Sequence, residues 1–175
     1  MSNEMLPDSV EKFVAPTIAG AALVGGGVAA TTPPAKAQGP IGNAAEVVSH
    51  MKSDGARAHS IVNEVNAARA DHGLNPVTEN PALNNIAQDW ADHLVGTGDL
   101  QHRPNHWETY PDSIPAGGEN VLQAWDDFAD AKLVNMWLNS PSHRKILLDP
   151  EAKTVGTGIA VGANGELFAV QNFGR

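Results

Sequence analysis

The sequence predicts an α+β domain built in layers, with helices covering an antiparallel sheet, and three observations carry that reading. Two early runs repeat their apolar residues with a helical period. A second helix pair follows, from about Asp127 to Leu148. The final stretch then switches to β-rich runs around an Asn-Gly turn.

The first helix is read from Ala58, where Ile61, Val65 and Ala68 recur at three and four residues and Gly73 supplies a stop. "LNPVTEN" links it to the second. Asn80 is placed to cap that helix, Pro81 suits its first position, and Leu83, Ile86, Ala87, Trp90 and Leu94 form one apolar stripe. "LQHRPNHWETYPDSIPAGGEN", Leu100 to Asn120, carries three prolines and no period, so it is read as a loop long enough to serve a function. A third helix is expected from about Asp127 to Leu138. "SPSHRKILL" makes a short fourth, with Ser140 as cap and Pro141 in its first turn. Trp90, Trp125 and Trp137 fall in helix-like runs and are assigned to the core. "TVGTGIAVG" and "ELFAVQNFG" flank "ANG", a hairpin signal, and their apolar residues predict an indispensable part of the sheet.

The chain has 175 residues, enough for one domain with a proper core, and 42% hydrophobic against 18% charged content marks it as globular. A net charge of −9 without any Lys/Arg cluster argues against nucleic acid and anionic membrane surfaces as partners. Cysteine is absent, which excludes disulfides, thiol nucleophiles and a lipoprotein anchor.

The first residues read differently. "FVAPTIAGAALVGGGVAA" is a charge-free run, and Ala35-Lys36-Ala37 beyond it matches a signal-peptidase site. Residues 1–37 are therefore read as a signal peptide, 38–57 as a linker and 58–175 as the domain, exported and without a transmembrane segment after processing. The acidic start of the chain keeps a retained N-terminal anchor as the alternative.

Three residues in the second half could carry chemistry: His102, Glu119 and His143. Each also has a plain reading, as a solvated loop histidine, a carboxylate at a helix start and a histidine bonded to a nearby carbonyl. His143 lies in the first turn of the fourth helix, where the positive end of the dipole disfavours imidazolium. Two neutral histidines and a carboxylate would suit Zn²⁺ with an open position for water, or general acid–base work. No G-x-S-x-G elbow, HExxH pair or dinucleotide fingerprint is present.

The domain resembles the CAP superfamily of cysteine-rich secretory proteins, insect venom antigens and plant pathogenesis-related proteins. "VNEVNAARADHGLNPVTENPALNNIAQDWADHL" resembles the family's first two helices, "GGENVL" its G-E-N signature, "MWLNSPSHRKILL" its bacterial W-x-x-S-P-x-H-R signature, and "VGTGIAV…VQNFG" its closing strands. The resemblance implies a three-layer α-β-α sandwich with a central antiparallel sheet and a cleft. It implies His102 and His143 as holders of a divalent metal, commonly zinc, Glu119 as the one candidate catalytic carboxylate, and Ser140, Asn120 and Arg144 as cleft-lining residues. Ser140 occupies the usual position of a second glutamate, and Arg103 stands where many members have Asn. The function so implied is a secreted, extracellular or envelope-associated module that binds a small molecule, a lipid or a wall-derived ligand. The alternative is a metal-assisted hydrolase, peptidase-like or cell-wall-active.

Overall fold

A computed structural model describes residues 44–175, with side chains from Gly55 onward. The expected signal peptide and the start of the linker lie outside the described residues.

Helix α1 spans Ala44–Asp71, so residues 44–57, expected as linker, are helical. The stretch is Ala-rich and holds no proline. Once the buried stripe Ala58, Ile61, Val62 and Val65 fixes the helix, each added residue gains one hydrogen bond, so propagation is easy. Helix α2, Pro81–Thr97, has the expected ends: Asn80 Oδ1 accepts from the N–H groups of Ala82 and Leu83, and Gly98 closes it at φ 71°. Before it, strand β1 is only Thr78–Glu79.

The long loop holds a single 3-10 turn, His106–Thr109, and ends earlier than expected. Residues 116–120 belong to strand β2, Ala116–Trp125. Glu119 therefore sits in a strand, not at a helix start. Trp125 ends that strand 43% exposed, contrary to its assignment to the core. Helices α3, Asp130–Asn139, and α4, Pro141–Leu147, follow. Pro141 takes the first turn of α4 as expected, but Ser140 makes no side-chain cap bond; its hydroxyl lies 3.2 Å from that of Ser142. Strands β3, Thr154–Val161, and β4, Glu166–Gly174, form the expected hairpin around Gly165, which adopts φ 83°.

The four strands are ordered β1-β3-β4-β2. β4 lies between β3 and β2 and is antiparallel to both, so the terminal hairpin is the middle of the sheet. The one parallel pairing is the short β1 against β3, which leaves β2 as an edge.

Side chains alternate across this sheet and define two cores. On one face, Ile61, Val65, Leu122, Leu133, Trp137, Val155, Ile159 and Phe173 pack between the sheet and helices α1 and α3. On the other, Ala87, Trp90, Leu94, Val121, Phe168 and Val170 pack under α2. The layers are helix, sheet, helix, as an α-β-α sandwich requires. α2 approaches β3 closely because Gly156 and Gly158 have no side chains there; a Cβ at either would lie 2.0 Å or 2.3 Å from the backbone of Leu83 or Ala87. Arg69, fully buried on α1, donates to the carbonyls of Asn75, Leu147, Asp149 and Ala152. Burial lowers its pKa and the nearby Asp149 charge opposes that shift. It ties the end of α4 and the chain beyond it to α1.

Candidate functional site

Glu119 is the fixed point of the site. Its side chain is fully buried on the α2 face of the edge strand β2, the face that Val121 also occupies. A carboxylate at such depth needs donors. Glu119 Oε1 accepts the backbone N–H of Arg103 at 2.9 Å and lies 2.9 Å from His102 Nδ1, while Asn172 Nδ2 reaches Oε2 at 3.4 Å across the β2–β4 register. With the carboxylate oxygen accepting, Nδ1 of a neutral His102 carries the proton and its Nε2 the lone pair. Tyr110, the only tyrosine, is buried beside this group and donates from its hydroxyl to Gly118 O at 3.2 Å. Burial raises the Tyr110 pKa, the Glu119 charge raises it further and a hydrogen bond with Asn172 works against both; the hydroxyl stays protonated.

His102 is delivered by the loop that follows α2. Trp90 Nε1 donates to Gln101 O at 3.1 Å. The Arg103 guanidinium pairs with Asp89, donates to Ile86 O and lies 5.5 Å above the Trp90 ring. The Arg103 side chain therefore grips α2, leaving its backbone N–H for Glu119.

His143 arrives from the opposite layer. It is buried on α4, and Asn120, which alternates with Glu119 to the other face of β2, donates from Nδ2 to His143 O at 3.3 Å. The two imidazoles meet at the β2 edge with ring centroids 6.5 Å apart and planes inclined by 44°. The structure thus brings together His102, Glu119 and His143 from three segments, with Asn120 behind them.

Ser140 is buried at the start of α4. Arg144 is exposed, its guanidinium directed to His72 Nε2 at 2.9 Å and to Leu138 O, and it lines a separate cavity beside α4. Sequence reasoning missed Asn172 and the bracing role of Tyr110. A signal existed for the first: Gln171 and Asn172 interrupt the apolar run between Leu167 and Phe173. Among the described residues, no cluster of three or more His, Cys, Asp or Glu side chains is arranged to hold a metal.

The comparisons agree with this architecture. The chain is similar in fold to an outer surface protein from Borrelia burgdorferi, at 21% identity and TM-score 0.58, covering 68% of this chain and 92% of that one. It is similar to an extracellular protein containing a SCP domain from Bacillus anthracis, at 18% identity and TM-score 0.60, covering 79% of this chain and 45% of that one. A cysteine-rich secretory protein from Staphylococcus aureus matches at 18% identity and TM-score 0.54, covering 70% and 39%. The matched region is thus less than half the length of the last two proteins. A search of curated proteins returns no match. The profile of the cysteine-rich secretory protein family, CAP, matches residues 62–173, a span that takes in both histidines, Glu119 and every strand but none of the N-terminal run, and the chain belongs to that family.

Proposed function

We propose that this chain is an exported ligand-binding module whose cleft at the β2 edge holds a divalent metal, zinc or a similar ion, on His102 and His143. The observation that supports it most is the Glu119–His102 contact at 2.9 Å, which fixes an imidazole whose ring centre lies 6.5 Å from that of His143. Zinc accepts histidine nitrogen, and two such ligands leave positions for water and for the oxygen of a bound molecule. The ion, when bound, would supply Lewis-acid polarisation of that oxygen. Glu119 holds His102 in one tautomer, Asn120 holds the α4 backbone, and Tyr110 braces the strand between them. Export agrees with the apolar N-terminal run and with the outer-surface and extracellular descriptions of two similar proteins.

The geometry favours binding over hydrolysis. A general base must reach the proton it removes, and of the about four acceptor sites of the Glu119 carboxylate, two on Oε1 are taken by His102 and Arg103 N and one on Oε2 by Asn172. Ser140 offers no second carboxylate.

Calorimetric titration of untagged protein with zinc tests the proposal. Binding should be weaker than at a closed four-ligand site, lost in His102→Ala and His143→Ala, and only reduced in Glu119→Gln. Equal affinity in wild type and His143→Ala would overturn it. Chelator-sensitive turnover on a peptide or wall-polymer panel would favour the hydrolase instead.

A further inference from the structure

Beside α4, and independent of any metal, the structure holds a cavity of about 460 Å³. Its apolar wall is Pro141, Ile146, Leu148 and Pro150, and its charged lining is Arg144, Lys145, Arg175 and a single acid, Asp149. In a chain of net charge −9 this is an unexpected concentration of cations. Their partners differ. Arg175 is neutralised by Asp149 at 2.8 Å, with Glu151 at 3.7 Å. Among the described residues Arg144 hydrogen-bonds His72 Nε2 and Leu138 O and has no carboxylate partner. The His72 ring accepts there because its other nitrogen, Nδ1, donates to Ala68 O at 2.7 Å, a carbonyl that can only accept a hydrogen bond. Lys145 has no hydrogen bond or ion pair among the described residues.

We infer that this cavity is a binding site for a small amphipathic anion: a phosphate or carboxylate on Arg144 and Lys145, with an apolar body against Ile146, Leu148 and the two prolines. Arginine's planar fork matches either anion, and the neighbouring ammonium adds a second charge. The volume lies within the range of ligand pockets and, at roughly 30 Å³ per water-sized group, holds about fifteen non-hydrogen atoms. Arg144 and Lys145 follow His143 on the helix, each turned about 100° further round, which points them away from the histidine pair. The strong negative charge of the whole chain opposes an anionic membrane as the source, so the occupant is a free amphiphile.

Octyl phosphate is the probe, titrated by calorimetry beside inorganic phosphate and octanol. Octyl phosphate should bind about tenfold more tightly than either, since it alone satisfies both walls. Affinity should fall between about 0.02 M and about 0.3 M salt, as expected for exposed cations. Lys145→Gln touches no packing and should fold normally while losing several-fold in affinity; Arg144→Gln should lose more; Lys132→Gln, the same charge change on α3, should change nothing. His143→Ala should still bind, which separates this site from the proposed metal cleft. Unchanged affinity in folded Arg144→Gln and Lys145→Gln would overturn the inference, as would binding to phosphatidylglycerol vesicles without binding to monomeric octyl phosphate.

Discussion

The two helical layers grip the same sheet by different means. Under α2 the contact is backbone on backbone: Gly156 and Gly158 let Leu83 and Ala87 approach until a methyl group would not fit. On the other face, large side chains such as Trp137, Phe173 and Ile61 fill the space, and Arg69 ties the end of α4 by hydrogen bonds. The first means fixes a distance; the second tolerates repacking. Each layer also carries one histidine of the site pair, His102 on the loop leaving α2 and His143 on α4. The separation of the two rings is therefore a readout of how both layers sit on the edge strand.

The largest effect expected from breaking the comparison is on the α2 side. Gly158→Val places a branched side chain where Ala87's backbone already stands, and neither partner can yield by changing rotamer. A loss of about 3 kcal/mol or more, or no soluble product, should be seen by thermal melting. A Leu133→Met change across the sheet, buried but repackable, should cost about 1 kcal/mol. Equal losses would mean the layers are not held differently.

Next in size is Arg69→Met. The new side chain fills similar volume but leaves the carbonyls of Leu147 and Ala152 buried without their donor, at about 1–3 kcal/mol for each. Denaturant unfolding should show a lower midpoint at unchanged slope. Because Arg69 fixes the end of α4, zinc affinity should fall as well, through His143 and not His102.

What is legible in the sequence divides along the same line. Signals local to a segment are readable: Asn80 and Pro81 before α2, Gly98 after it, and the turn at Asn164-Gly165. β2 is not, because its Glu119 and Asn120 look like loop residues until His102, Asn172 and the α4 backbone are brought to them by other segments. Trp125 reads as core for its hydrophobicity, yet it ends a strand at the surface. The parallel contact of β1 is hidden in "PVTEN", where two residues pair with a strand far along the chain. For the site, the three residue types can be named but their convergence cannot. The role of Glu119 as an orienting group follows only from its partners.

A smaller effect concerns the coupling of layers through the metal. An ion held by one ligand from each layer binds the folded chain alone, so zinc at about a hundredfold over its dissociation constant should add about 2.7 kcal/mol to stability. The gain should vanish in His102→Ala and His143→Ala, each of which removes one ligand. A gain surviving both substitutions would place the ion elsewhere.

The smallest effect expected, and the finest probe of how the α2 layer positions His102, is Arg103→Asn, the residue many members of the family carry. The substitution leaves the backbone N–H that bonds Glu119 Oε1 but removes the guanidinium from Asp89, Ile86 O and the Trp90 ring. Asp89 is largely exposed, so the ion pair itself contributes little, and the summed loss in stability should be about 1 kcal/mol or less. Trp90 Nε1 still holds Gln101 O, so the loop keeps one tether to α2 and His102 keeps its contact with Glu119. Zinc affinity should accordingly drop by no more than a few-fold, with exchange protection lost at the amides near Arg103 before any change near His143. If Arg103→Asn instead abolished zinc binding while the melt stayed intact, the side chain's grip on α2, and not the Glu119 contact, would be what holds His102 toward its partner.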